Sequence, residues 1–193
     1  GIRDIGLEKY VEAVTSSTLN SSFWDSLLPQ RLTTSSTSSP YWSAFKAAQI
    51  KANDKGFLST EIDVRSLLAL RGDVHHIYPR NFLKKHGAKA PQYNQIANFA
   101  VTQSEINIAI GDQEPFKYFG NLRQQVYGGP KFYGAIESEA KLLENLSAHA
   151  IPVEVLTQII DYDEFLALRR GLMAQKIKAY FESLQSVEVT AGN

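Results

Sequence analysis

The chain contains no cysteine. Disulfides and Cys-ligated zinc sites are therefore excluded, and the absence favours a cytoplasmic protein. No run of about 18 apolar residues occurs, so no membrane span is expected. A surplus of either charge is also missing, since 20 basic residues balance 20 acidic ones. A polycationic chain is excluded, and any contact with nucleic acid has to be local. The only methionine is Met173, and the start Gly1-Ile2-Arg3-Asp4 is not a signal peptide. The sequence accordingly reads as a fragment of a longer protein. What is present is ordinary: 193 residues, 44% of them hydrophobic, are enough for one domain.

Periodicity and turn residues divide that domain into a helical N-terminal part (1–70), a small core (71–112), C-terminal helices (113–186) and a frayed tail (187–193). Ile5, Leu7, Tyr10, Val11 and Val14 form an amphipathic helical pattern. A second short helix carries Phe23, Trp24, Leu27 and Leu28 and stops at Pro29. The Ser/Thr run 33–39 is a loop, and Pro40 opens a helix with Trp42, Phe45, Ala48 and Gln49. A helix start near residues 59–63 leads to Val64, Leu67 and Leu68. Residues 74–78 and 98–102 read as strands. Between them lie a helix from Pro79 to Gly87 and a loop at 88–92, and Ser104 caps a helix that ends at Gly111. After Pro115 the stripes are Phe116, Phe119, Leu122, Val126 and then Ile136, Ala140, Leu143, Leu146, followed by a long helix over 163–184. The fold class is α+β, mostly α, with a small strand–insertion–strand–helix core embedded in a helical domain.

Chemistry concentrates in Asp73-Val74-His75-His76-Ile77-Tyr78-Pro79. Adjacent imidazoles on an extended backbone point to opposite sides, so one can bind a metal while the other faces a substrate. Histidine titrates near neutrality and can take a proton at working pH. Hydrolysis of a phosphodiester needs a deprotonated water, positive charge on the non-bridging oxygens and stabilisation of the departing oxygen. Asn107 offers an amide oxygen and Asp73 a carboxylate, suited to a hard cation, whereas His75 shifts preference toward Mn²⁺, Ni²⁺ or Zn²⁺. Asp73 shares a strand face with His75 and is expected to orient it. Arg65, Arg71, Arg80, Lys84, Lys85 and Lys89 face only Asp73 in that stretch, a local basic patch with phosphate affinity. Arg80, next to the Pro79 turn, is the strongest candidate for a phosphate contact.

The run His75-His76-Ile77-Tyr78-Pro79, followed by Asn98 and, nine residues on, Asn107, resembles the HNH (His-Me finger, ββα-metal) nuclease family. The resemblance implies a metal-dependent DNA endonuclease in which His76 is the general base and Asn98 braces the site. It also implies that His75 and Asn107 hold one divalent metal, Mg²⁺ first, with Mn²⁺ or Ni²⁺ admitted because a histidine stands where many members carry aspartate. Pro40-Tyr41-Trp42-Ser43, Phe57-Leu58-Ser59, Tyr93-Asn94-Gln95-Ile96-Ala97-Asn98 and Asn107-Ile108-Ala109-Ile110-Gly111-Asp112 extend the similarity to the C-terminal half of GmrSD-type restriction proteins. That similarity implies anti-phage defence, double-stranded phage DNA as partner, and a missing ParB-like N-terminal domain.

Blander readings apply elsewhere. His86 beside Gly87 suits a helix end and its carbonyls. His149 reads as a surface residue at a helical hinge. Lys84 and Lys85 serve equally as DNA contacts or as a solvated helix face. Trp24, Tyr41, Trp42 and Phe45 read as helical core. Two rival functions stand beside the nuclease: a catalytically silent DNA- or partner-binding module of the same fold, and a helical module for homo-oligomers.

Overall fold

The computed structural model describes residues 6–70 and 72–190, with side chains through residue 185. It is 62% helical with a two-stranded antiparallel sheet, so the α+β, mostly α class holds. Helix α1 (Leu7–Thr18) forms, yet none of its residues is buried and Leu7, Tyr10, Val11 and Val14 stay exposed. Ile5, which opens that stripe in the sequence, lies outside the described residues. A π-helical turn (Phe23–Leu27) runs directly into α2 (Leu28–Arg31). Pro29 does not stop the helix as expected. It sits in the first turn of α2, where a missing N–H costs nothing. The loop at 33–39 follows, and α3 (Pro40–Lys51) begins behind Ser39, whose side chain accepts from the Tyr41 N–H. Trp42, Phe45, Ala48 and Gln49 are its buried face. Asp63 caps α4 (Val64–Ala69) by accepting from the Ser66 N–H at 2.7 Å.

Strands β1 (Asp73–His76) and β2 (Phe99–Thr102) pair with His75 opposite Ala100 and His76 opposite Phe99. Both are shorter than the sequence predicts. Ile77 N–H still bonds the Asn98 carbonyl, but the next amide, Tyr78, turns to the Asn98 side chain. The insertion holds α5 (Arg80–Lys85), closed by Gly87 at φ +87°, and one helical turn, α6 (Ala90–Tyr93), where a loop was expected. Pro91 suits that first turn. In α7 (Ser104–Ile110) the expected cap is displaced by one residue. Gln103 takes the extended cap position without a side-chain bond, and Ser104 is already helical. Gly111 at φ +55° ends it.

The C-terminal part comprises α8 (Pro115–Val126), α9 (Glu139–Ala148), a 3₁₀ turn (Val153–Leu156) and α10 (Tyr162–Thr190). Two stripes rotate relative to expectation. Tyr118 is buried where Phe116 is exposed, and Leu142 and Asn145 are buried where Leu143 and Ala140 are exposed. Polar residues cause the misreading, because a buried Asn145 looks like a surface position in a hydrophobicity pattern. Helix α10 packs across α2 and α3 and extends to Thr190, into the segment expected to fray. Each residue added to an existing helix gains a hydrogen bond without a new nucleation cost. One contiguous core runs from Trp24 to Ile177 and leaves α1 outside it. No helix among the described residues is long and apolar enough to cross a membrane.

Buried Asn145 holds the loop between α3 and α4. Its Oδ1 accepts from Leu58 N–H at 2.8 Å and its Nδ2 donates to Gly56 O and Ser59 O. Leu58 is fully buried at φ +58°, a left-handed conformation that costs a leucine about 1–2 kcal/mol. The neighbouring Phe57 bonds β2 in both directions, donating to Val101 O and accepting from Thr102 Oγ1. Asn145→Ala orphans an N–H in a buried, strained loop and is expected to cost about 2–3 kcal/mol in urea unfolding. A loss below about 0.5 kcal/mol would mean that the loop is held by packing alone.

Candidate functional site

His75 lies 2% exposed on the inner face of β1. Its ring stacks on Phe57 (centroids 5.7 Å apart, 16° between planes) and meets Tyr118 edge-on. The Nδ1 of His75 is 2.7 Å from Asn107 Oδ1. An amide oxygen only accepts, so Nδ1 carries the proton here. Asn107 Nδ2 in turn donates to Asp73 Oδ2 at 3.3 Å. The order is thus His75–Asn107–Asp73. Asp73 orients Asn107, and not His75 as expected, because α7 inserts the asparagine between the two strand residues. Burial holds the His75 imidazole down to about 4, against the bond to Asn107, so the ring is neutral at pH 7.

His76 is half-buried on the opposite face and packs edge-on to Phe99 at 5.0 Å. Its Nε2 donates to Asn94 Oδ1 at 3.0 Å. That bond places the proton on Nε2 and leaves the Nδ1 lone pair without a partner among the described residues. Burial lowers its affinity for a proton below the ordinary histidine range, the Asn94 bond opposes this, and the nearby Arg80 charge adds to it. The contact of Asn94 with His76 is one that pattern reading missed, although Asn94 stands in the Tyr93–Asn98 run; the ring of the preceding Tyr93 also approaches His76.

Asn98 is fully buried and its side chain bonds backbone groups on both sides of it. Its Oδ1 accepts from Tyr78 N–H at 2.8 Å, while Nδ2 donates to Tyr78 O at 3.0 Å and Tyr93 O at 3.1 Å. It therefore ties the chain leaving β1 to the end of α6, the segment that carries Asn94. Both histidines, Arg80, Asn81, Asn107 and Asp112 line one cavity of about 340 Å³ at the end of β1. Asn81 Nδ2 bonds Asp112 Oδ2 across it at 3.0 Å.

The basic patch divides. Arg80 is exposed and lines the cavity, whereas Lys84 and Lys85 do not. Lys84 Nζ lies 5.6 Å from the Tyr93 ring centroid, and Lys85 is exposed. Arg71 lies outside the described residues. His86 Nδ1 reaches Phe82 O at 2.9 Å, as a helix-end histidine should. His149 is not on the surface. It is fully buried, its Nε2 lies 2.9 Å from Lys55 O, and its Nδ1 lies 3.2 Å from Gln49 Nε2. Burial pushes it down to about 3. Fully buried Arg169 donates to Phe99 O and His149 O with no carboxylate among the described residues in contact, and burial pulls it down to about 9.

His75 Nδ1 and Asn107 Oδ1 bond each other at 2.7 Å, with the Asp73 carboxylate behind the amide, so a cation would have to displace the Nδ1 proton to lie between them. A neutral imidazole and an amide oxygen form an N/O donor pair of the kind that Mn²⁺, Ni²⁺, Zn²⁺ or Mg²⁺ accepts. Among the described residues no group of three or more His, Cys, Asp or Glu that could hold a metal gathers. No family model matches the chain, and neither a curated protein nor a solved structure matches it.

Proposed function

We propose that the chain is a metal-dependent phosphodiester hydrolase of the HNH type acting on DNA, as the nuclease part of an anti-phage restriction protein. One observation carries the reading. Asn94 holds the His76 proton on Nε2, which leaves the Nδ1 lone pair free among the described residues, and His76 lines one cavity with Arg80, Asn107 and His75. His76 Nδ1 takes a proton from water, the water oxygen attacks phosphorus, and the 3′-oxygen departs. Asn98 fixes the turn that carries these groups, and Arg80 offers positive charge to the flanking phosphate. His75 and Asn107 would hold one divalent cation, Mg²⁺, Mn²⁺ or Ni²⁺. When bound it supplies charge for the non-bridging and departing oxygens.

Supercoiled plasmid incubated with each metal tests the reading. Nicked or linear product is expected with at least one of them and none in excess EDTA. Intact plasmid in every metal, with DNA still bound at low salt, supports the other reading, a catalytically silent binding module. The closed contact between His75 and Asn107 is what favours that second reading, since each atom already has a partner.

A further inference from the structure

We propose that the apolar cavity on the other side of α5 binds a small organic cation, an alkyl- or arylammonium. Helix α5 is a shared wall. Arg80 and Asn81 line the cavity with the histidines, whereas Phe82, Leu83 and His86 line a second one of about 240 Å³. That volume is below the ~300–1,000 Å³ of drug-sized sites and suits a ligand of one ring or a short chain.

The walls are aromatic: Tyr78, Phe82, Phe116, Phe119 and Tyr162. Phe116 remains 42% exposed, so it is not engaged by the core. The tyrosine hydroxyls are tied back, Tyr78 to Ile160 O at 2.7 Å and Tyr162 to Gln92 O at 2.9 Å. The rings are thus fixed, and their negative faces attract a cation.

Charge decides between ligands. No Lys or Arg lines this cavity, while Glu114 and Asp161 do. One Asp161 oxygen accepts from the Asp163 and Glu164 N–H groups at the start of α10. The other has no hydrogen-bond partner among the described residues, and neither does the Glu114 carboxylate. The field is felt inside. After burial itself, the charges of Asp161 and Glu164 push the Tyr78 phenol up. Such a rim repels phosphate, so the cavity is no extension of the proposed DNA site, and the inference does not depend on that site's chemistry.

Methyl NMR of the full chain, reading Val155, Ile159 and Ile160, tests it with three ligands of one shape. 2-Phenylethylammonium is expected to shift these methyls and to bind about tenfold more tightly than neutral 2-phenylethanol, with 3-phenylpropionate weakest. The double substitution Glu114→Gln, Asp161→Asn keeps an acceptor at the helix start. It should reduce the preference for the ammonium several-fold, leaving what the rings contribute, and leave binding of the alcohol unchanged. Equal binding of ammonium and alcohol, no binding of the ammonium, or a preference undiminished by the double substitution overturns the proposal.

Discussion

His76→Ala is expected to lower metal-dependent plasmid cleavage by about 10²–10⁴-fold, the range that a positioned general base contributes. The folded state should change little, because His76 is half-buried and its single polar partner, Asn94, is also only half-buried. In the active protein the rate should rise with pH and level off below the ordinary histidine range. Burial and the Arg80 charge together outweigh the Asn94 bond and keep Nδ1 unprotonated at neutral pH. Quantifying nicked product over time for both proteins, with circular dichroism as the control for folding, gives the comparison. A variant that cuts as well as the parent removes His76 from the chemistry.

Acid should unfold the protein steeply. Both buried imidazoles, His75 and His149, have folded-state values far below the 6.5 of an exposed histidine, about 4 and about 3. The unfolded chain therefore binds two protons that the folded chain refuses. Stability contributed by these groups is complete above about pH 6.5 and falls as pH drops toward 4, after which only His149 continues down to about 3. Two protons correspond to a slope of about 2.7 kcal/mol per pH unit between pH 4 and 6. Asp54 opposes this more weakly, since burial raises it while its ion pair with Lys176, at 2.7 Å, pulls it back. Urea unfolding at half-unit steps of pH measures the slope, and His149→Gln should halve it. A flat profile over this range would show that protons reach both rings in the folded state.

The local motif made much of the site legible. His75, His76, Asn98 and Asn107 fall within 33 consecutive positions, and alternation along a strand separates the two imidazoles. Asn98, entering β2, lies beside the chain leaving β1, as the antiparallel pairing requires. Asn94 was not legible, since its contact depends on the single turn of α6 that the sequence presents as loop. Phe57 and His149 were not legible either. Phe57 stacks on His75 from the loop in which Asn145, 87 positions from Leu58, bonds a left-handed leucine. Asp73 was placed on the right face of the strand and given the wrong partner, which α7 decided.

The sequence by itself determined the class of fold, the order of strand, insertion, strand and helix, and the asymmetry between His75 and His76. These follow from periodicity, turn residues and the alternation of a strand, all of which act over a few residues. The tertiary structure alone decided which nitrogen of each imidazole is engaged, that His149 and Arg169 are buried beneath the sheet, and that α5 separates a polar cavity from an acidic aromatic one. Those properties arise where segments tens of residues apart displace water from one another, and desolvation leaves no mark on the local pattern of a chain.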